Sequence, residues 1–406
     1  MFINKKFYRC MASGEVKTIP LNPNNIPHVL LEFQKTPKKI YHLGFMHFEK
    51  SNIPILKSIL EKENILKKLK KSKTDYFLLL HHFFEGYSQT AKDIAEVFVH
   101  GLGVPGRKIH ILSESHSFKD NACLFFDPND SPTVSTAMEL EIKSLEKYKQ
   151  SYERLKTLDT LQETNVVRKK FLCLNNRGRP HRAIFLSMLK ANGVLDNSHY
   201  SLIPGAPKNK NKVISDFHKI LGDSVVQKSP NYYKKINEWL SHEGLESLFN
   251  TIDNTSGVTE ENAWHPNDKI LQYYNQTDIS VITETHCFPN SFNKHDLMFT
   301  EKVFRPILLG HPFLVLSVPG YLEGLKQLGY RTFGNVFDES YDTIEDTIER
   351  MEAVATELKR LNNLSNKKFA RLIEKTKNAV DHNRDVISKL QNARFFYDSS
   401  AIRQSL

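Results

Sequence analysis

The sequence predicts an α/β protein of two domains. Three observations carry this: short apolar runs alternate with helix-length stretches, the alternation gives way to a long segment rich in Glu, Lys and Leu, and then it begins again. Alternating strand and helix signals argue for mostly parallel sheets covered by helices. At 406 residues the chain also exceeds the size at which one hydrophobic core keeps growing.

In the first half, Lys38 to Phe48 (KKIYHLGFMHF) reads as a strand, Pro54 to Leu69 as a helix, and Asp75 to His82 (DYFLLLHH) as a buried strand. Ser88 to Leu102 has apolar residues at helical spacing and stops at Gly101 and Gly103. Lys108 to Ser113 (KIHILS) closes a βαβαβ progression, the half-unit of a doubly wound fold. Ser135 to Asn165 contains neither Gly nor Pro and reads as a connecting helix, with a domain boundary between residues 165 and 166.

The second half restarts with a strand at Lys169 to Asn175, a sharp loop at Arg177 to His181, and a helix at Ala183 to Ala191 stopped by Asn192 and Gly193. A polar stretch without a clear pattern runs to about Asp268. A strand at Asp278 to Glu284 (DISVITE), a helix at Phe299 to Leu309, a strand at Pro312 to Ser317, a helix at Tyr321 to Leu328 and a short strand at Tyr330 to Phe333 follow. From Thr343 to about Arg394 the chain is helical and highly charged. The expected division is residues 1–165, 166–390 and a tail at 391–406.

With 40% hydrophobic and 11% aromatic residues the chain can bury substantial cores, so disorder is not the default expectation. Cys10, Cys123, Cys173 and Cys287 lie too far apart for a zinc motif and too sparsely for a disulfide scaffold, so a reducing compartment is expected. The N-terminal MFINKKFYRCMASGEVK lacks an apolar core with a small-residue cleavage site, and no run of eighteen apolar residues occurs. The expectation is a soluble, cytoplasmic protein without integral membrane association. A net charge of +10 favours an anionic partner, although charge also serves solubility. From Lys35 to Lys73, eleven Lys stand against Glu49, Glu61 and Glu63, a local excess of eight.

Two segments have the chemistry to bind an anion. In open α/β sheets, ligands sit outside the carboxyl ends of strands, where loops and helix N-termini turn backbone N–H groups toward them. Asn175-Asn176-Arg177-Gly178-Arg179-Pro180-His181-Arg182 lies between a strand and a helix. Its Arg177, Arg179 and Arg182 can grip a diphosphate through guanidinium forks; the plainer reading is a basic turn. In the second segment, from Phe299 to Phe313, Thr300 has the chemistry of a helix cap, with Glu301 and Lys302 in the first turn facing the crevice. A carboxylate there can accept two ribose hydroxyls and an ammonium can neutralise phosphate; the plainer reading is two surface charges.

The run ITETHCFPNSFNKHDLMFTEKVFRPILLGHPFLVLSVPGYLEGLKQLGYRTF resembles the donor-binding segment of phage-type and exostosin- or fucosyltransferase-like glycosyltransferases of the GT-B fold. The shared pattern is an apolar strand, a Thr-Glu-Lys helix start, and a small or Gly residue before the next apolar strand. The resemblance covers residues 278 to 345, is weaker at 169 to 192, and is absent before 150. It implies two Rossmann-like domains with a donor/acceptor cleft between them: an acceptor domain first and a nucleotide-sugar donor domain second. It implies Glu301 on the donor ribose, Lys302 facing the diphosphate, Arg177, Arg179 or Arg182 as the basic residue of the first loop, and Glu284 and Thr285 flanking the crevice. A Glu-x7-Glu pair found in many retaining relatives is missing, which leaves the stereochemistry open.

No two aspartates are separated by one residue, so the Asp-x-Asp metal pair of the other major glycosyltransferase fold is not present in the sequence. No ligand spacing joins His81, His82, His286 and His295. A UDP- or GDP-sugar is the expected co-substrate, with no cofactor and no metal. Leaving-group charge then falls to Arg, Lys and helix N-termini.

A general base is expected from the first domain. Glu85 is the first choice, His82 the second and His47 the third, each at or beyond a strand end; the alternative is histidines packed by hydrogen bonds. Lys38 and Lys39 with Phe83, Phe84 and Tyr87 suit phosphates and a stacked base. The resemblance to phage enzymes implies hydroxymethylated pyrimidine in viral DNA, such as hydroxymethylcytosine, as the acceptor, with the host cytoplasm as the location. A polysaccharide or lipopolysaccharide acceptor competes with it, as does a non-catalytic, basic DNA-binding α/β protein.

Overall fold

The structure, a computed structural model, describes residues 2–3, 6–10, 16–20, 39–45, 53–62, 64–71, 76–82, 93, 95–113, 133–136, 153, 167–175, 179–202, 248, 268–287 and 297–389. The chain divides into two compact units. One comprises Met1–Glu141, Pro289–Met298 and Asn392–Leu406, the other Ile142–Phe288 and Phe299–Gln391. Each is an α/β unit built on a sheet of mainly parallel strands.

The first unit holds strands β1 (Phe2–Ile3), β2 (Lys6–Cys10), β3 (Val16–Pro20), β4 (Lys39–Phe45), β5 (Tyr76–His82), β6 (Ile109–Ser113) and β7 (Thr133–Thr136). Their order is β3-β2-β4-β5-β6-β7, with β1 also on β4, and only β2 and β3 are antiparallel. From β4 onward the strands follow chain order, so this sheet has no reversal there. Helices α1 (Ile53–Lys62) and α2 (Ile65–Lys71) bury Leu56, Leu60, Ile65, Leu66 and Leu69. The single helix expected over 54–69 is broken at Asn64, whose φ of 56° is a left-handed conformation that Asn tolerates better than most residues.

Near the end of the expected 88–102 helix, Val97–Gly101 forms a π turn, with Leu102 N–H bonded to Val97 O at 2.8 Å. Ser135 and Thr136, expected to open a helix, instead end β7. The β-branched Thr133-Val134-Ser135-Thr136 run pairs with His110 to Ser113 of β6. The β2–β3 hairpin was not expected, because neither strand carries a long apolar run.

The second unit holds β8 (Phe171–Cys173), α3 (Pro180–Ala191), β9 (Ser198–Tyr200), α4 (Asp268–Asn275), β10 (Ile279–Thr283), α5 (Glu301–Leu309), β11 (Phe313–Leu316), α6 (Tyr321–Gln327), α7 (Thr347–Asn362) and α8 (Asn366–Lys389). Strand order is β11-β10-β8-β9, all parallel. β8, β10 and β11 are buried throughout, as continuous apolar runs require when helices cover both faces. α4 packs Ile270, Leu271, Tyr273 and Tyr274 against Leu172 and Leu309.

The strand expected at Tyr330–Phe333 does not form, because its backbone donors are taken elsewhere. Tyr330 N–H goes to Leu325 O, Arg331 N–H to Asn383 Oδ1 and Phe333 N–H to Glu339 Oε1. Phe333 is still core, set edge-on to Phe313 at 5.1 Å. No helix among the described residues is long and apolar enough to cross a membrane.

Candidate functional site

The second sheet has a topological switch point. From β8 the chain moves outward to β9, then returns on the other side of β8 to form β10 and β11. At such a reversal, here between β8 and β10, open α/β sheets take ligands in a crevice at the carboxyl ends of the strands. The two ends are tied together: Thr283 Oγ1 donates to Asn175 Oδ1, and Asn175 N–H donates to Ser201 Oγ at 2.9 Å.

Two helix N-termini meet here. α3 starts with Pro180 at its first position after Arg179, which is extended; proline has no N–H to leave unpaired there. From this start Arg179 Nη1 donates to Thr285 O at 3.3 Å, His181 Nε2 to Glu284 O at 3.0 Å and Arg182 Nη2 to Thr283 O at 3.3 Å. Three successive carbonyls at the exit of β10 are thus held by three side chains of one helix start. Arg182 is 3% exposed, so it fixes β10 from below. Burial, then the charge of Arg182, pushes the His181 imidazole well below its ordinary range. It is neutral and donates one N–H.

α5 is capped by Thr300, whose Oγ1 accepts from Lys302 N–H at 3.3 Å, and is ended by Gly310 at φ 75°. The same Oγ1 donates to Glu284 Oε2 at 2.7 Å and accepts from Lys302 Nζ at 3.0 Å. Lys302 Nζ also donates to Thr285 Oγ1 at 3.1 Å and lies 3.7 Å from Glu284 Oε2. Glu284 is 1% exposed and accepts further from Tyr321 Oη at 2.7 Å and from Thr285 N–H at 3.2 Å. Phe299 packs against the Tyr321 ring at 4.8 Å.

On the far side of the same loop, buried Arg350 donates to the carbonyls of Cys287, Ser317, Ile344 and Glu345 and to Thr347 Oγ1. Ser317 Oγ donates to His286 O at 3.2 Å. Residues 283 to 287 are therefore clamped from α3, α5 and α7. Burial pushes the Cys173 thiol up to about 12 and the Cys287 thiol up to about 11, so neither is a nucleophile here.

Of the residues singled out from sequence, Arg179, Arg182, Glu284, Thr285, Thr300 and Lys302 come together at this crevice. Glu301 opens α5 by its backbone; its side chain, and Arg177 altogether, lie outside the described residues. Glu85, His47, Lys38, Phe83, Phe84 and Tyr87 also lie outside them. Lys39 begins β4 opposite Tyr76, whereas His82 ends β5 opposite Phe45. Six residues of strand, roughly 20 Å, separate their backbones along the sheet. Glu284, which the resemblance places beside the crevice, has both carboxylate oxygens bonded to the chain's own donors. Tyr321 and Arg350 were missed, because each acts across more than thirty residues and neither sits in a local motif.

No protein-family model matches the sequence, and no curated protein matches it. Among solved structures, the chain is similar to the N-terminal domain of Candida albicans trehalose-6-phosphate phosphatase, at 13% identity and a TM-score of 0.42, covering 93% of this chain and 71% of that one. It is also similar to a UDP-forming α,α-trehalose-phosphate synthase from Burkholderia xenovorans in complex with glucose-6-phosphate, at 8% identity and a TM-score of 0.41, covering 89% and 75%. A third is an OtsA apo structure, at 12% identity and a TM-score of 0.42, covering 89% and 71%. Scores below 0.5 decide neither fold nor chemistry, which rest on the chain's own geometry.

Proposed function

We propose that this chain is a glycosyltransferase of the GT-B type, and that its second unit binds the diphosphate of a nucleotide sugar at the β8/β10 switch point. One observation carries the reading: side chains from two helix starts, Arg179 and Arg182 on α3 and Lys302 on α5, converge on Thr283, Glu284 and Thr285. Among the described side chains these three cations meet one carboxylate, Glu284, a balance of 3 − 1 = 2 positive charges. Two helix N-termini add partial positive charge in the same direction.

In this proposal Arg179 and Lys302 meet the leaving pyrophosphate. As the acceptor hydroxyl attacks the anomeric carbon, the bond to the β-phosphate oxygen breaks and its electrons pass to the nucleoside diphosphate. The acceptor proton goes to a base of the first unit, for which Glu85, His82 and His47 remain the candidates in that order. Arg182 and Glu284 act on the ligand indirectly, Arg182 by fixing β10 and Glu284 by holding Thr300 and Lys302. Glu301 is assigned to the donor ribose. Hydroxymethylated pyrimidine in DNA is the first acceptor to try, and a glycan the second.

The test is thermal unfolding with UDP or GDP against the matching nucleosides. A ligand at about a hundred times its Kd adds about 2.7 kcal/mol of stability, an easily read shift. Lys302→Ala loses a charge-assisted contact of about 1.5–3 kcal/mol, which weakens diphosphate binding roughly 10- to 100-fold. Full affinity in Lys302→Ala, or no stabilisation by any nucleoside diphosphate, rejects this pocket. Mass spectrometry of products from nucleotide sugars with hydroxymethylated DNA or simple glycans then identifies the acceptor.

A further inference from the structure

The lysine-rich stretch noted in the sequence is not absorbed by the donor site, and the structure shows where part of it lies. Lys57, Lys62, Lys67, Lys68, Lys70 and Lys71 are all exposed on α1 and α2, while Leu56, Leu60, Ile65, Leu66 and Leu69 face the core. Residues 53–71 contain only Glu61 and Glu63 as acids, leaving an excess of 6 − 2 = 4. No ion pair joins any of the six lysines to another described residue. Lys67 and Lys71 are one turn apart, about 6 Å along the axis, and form a ridge on the outer face of α2.

Topology decides which end of the sheet this ridge occupies. α2 ends at Lys71 and β5 begins at Tyr76, so the last turn of α2 lies near the amino end of β5. Lys70 confirms it: a Cβ on Gly103, in the segment entering β6, would stand 3.4 Å from Lys70 Nζ. Lys39 opens β4 at the same end, in register with Tyr76. Lys68, Lys70 and Lys71, in the last turn of α2, therefore rim the amino ends of the strands, away from the carboxyl ends where α/β sheets bind substrates.

We infer that this rim binds the phosphodiester backbone of a nucleic acid and tethers it to the first unit. Every exposed cation of α1 and α2 is a lysine, a point charge for phosphate without the planar fork that reads base edges, so binding is indifferent to sequence. A membrane surface fits less well. Helices that lie in a bilayer interface bury a broad apolar face, and Ile55 is the only large apolar side chain exposed on these two helices.

The inference is independent of the donor pocket, and its test contains no nucleotide sugar. The full chain is titrated against a fluorescent random-sequence DNA duplex by anisotropy between about 50 and 200 mM salt, a range over which phosphate contacts are resolved. Each contact contributes about −0.9 to the slope of log K against log salt. The variant Lys67→Gln/Lys68→Gln/Lys71→Gln is expected to flatten the slope by about 2.7. The control Lys367→Gln/Lys368→Gln/Lys375→Gln, on the exposed face of α8, removes the same charge and is expected to leave the slope unchanged. Equal flattening by both variants, flattening by neither, or no duplex binding by the parent overturns the inference. So does binding of phosphatidylserine vesicles that depends on Lys67, Lys68 and Lys71 when duplex binding does not. Stabilisation by UDP or GDP, measured on the same variants, is expected to persist, which separates failure of the tether from failure of the donor site.

Discussion

Replacing Glu284 by glutamine keeps the side-chain shape and removes one charge, yet its neighbours make the change severe. Oε1 accepts from Tyr321 Oη at 2.7 Å and Thr300 N–H at 3.4 Å, and Oε2 accepts from Thr300 Oγ1 at 2.7 Å and Thr285 N–H at 3.2 Å. Lys302 Nζ stands 3.7 Å from Oε2. Each oxygen faces one backbone N–H, which cannot accept, so the glutamine NH2 opposes a donor whichever way it turns, even where the Tyr321 or Thr300 hydroxyl rotates to accept. Losing two charge-assisted bonds at about 1.5–3 kcal/mol each puts Glu284→Gln at about 3–6 kcal/mol, overlapping the cost of about 3–5 kcal/mol for breaking a buried charge pair. Tyr321→Phe loses one bond, about 1.5–3 kcal/mol. At about 2–4 °C per kcal/mol for a domain of roughly 150–250 residues, the first lowers Tm by about 10 °C and the second by about half that. Urea unfolding of both single variants and the double variant measures the coupling, expected to exceed about 1 kcal/mol because the two residues share a bond. Additivity within about 0.5 kcal/mol, or a Tyr321→Phe cost no larger than that of an exposed substitution, refutes the hub.

Two further outcomes follow from buried titratable groups. His311 is held between Ser280 Oγ at 3.1 Å and Tyr274 O at 2.8 Å, and burial lowers it from 6.5 to about 4. As pH falls, the unfolded chain takes up this proton first, so the contribution is complete above about 6.5 and is lost toward pH 4, at about 1.4 kcal/mol per pH unit in that window. His181 is shifted the same way. Urea midpoints between pH 7 and 5 check this, and an equally steep loss in His311→Gln rejects His311 as a source. Cys173 and Cys287, both buried with thiols raised to about 12 and about 11, are expected to escape iodoacetamide at pH 8 until the chain is unfolded; peptide mapping that finds either one labelled in the native protein contradicts their placement.

The framework of the second unit was legible because local chemistry encodes it. Thr300 caps α5, Gly310 ends it in a left-handed conformation, and the apolar runs ISVIT and FLVL become neighbouring buried strands. β9 was not legible, since Ser198-His199-Tyr200 has no apolar run and is made a strand by pairing with β8. Nor was the loss of the strand at Tyr330–Phe333, where Asn383 and Glu339 compete for backbone donors from 52 and 6 residues away. At the site, the arginines and Lys302 announced themselves as charges. That Glu284 serves them from inside, through Tyr321 37 residues later, is a tertiary fact without a periodic signature.

Arg350 explains how the loop after β10 is held and what that adds to the field at the crevice. Its guanidinium, 1% exposed, donates only to neutral acceptors: four carbonyls and the Thr347 hydroxyl. A methionine would fill the volume and leave those carbonyls without donors, and a lysine would offer three N–H groups from one point where a planar fork serves three directions. The fork is therefore what fixes the exit of β10 to β11 and α7. Its charge comes with it and has no carboxylate among its bonded partners. That charge sits behind Cys287, two residues from the Thr285 at which Arg179 and Lys302 meet. Hydrogen bonds to carbonyls offset much of the desolvation cost of a buried cation but leave its potential in place. Arg350 thus adds a further cation to Arg179 and Lys302 along residues 285 to 287, in a loop held from α3, α5 and α7, which is the preorganised field that the proposed diphosphate site requires.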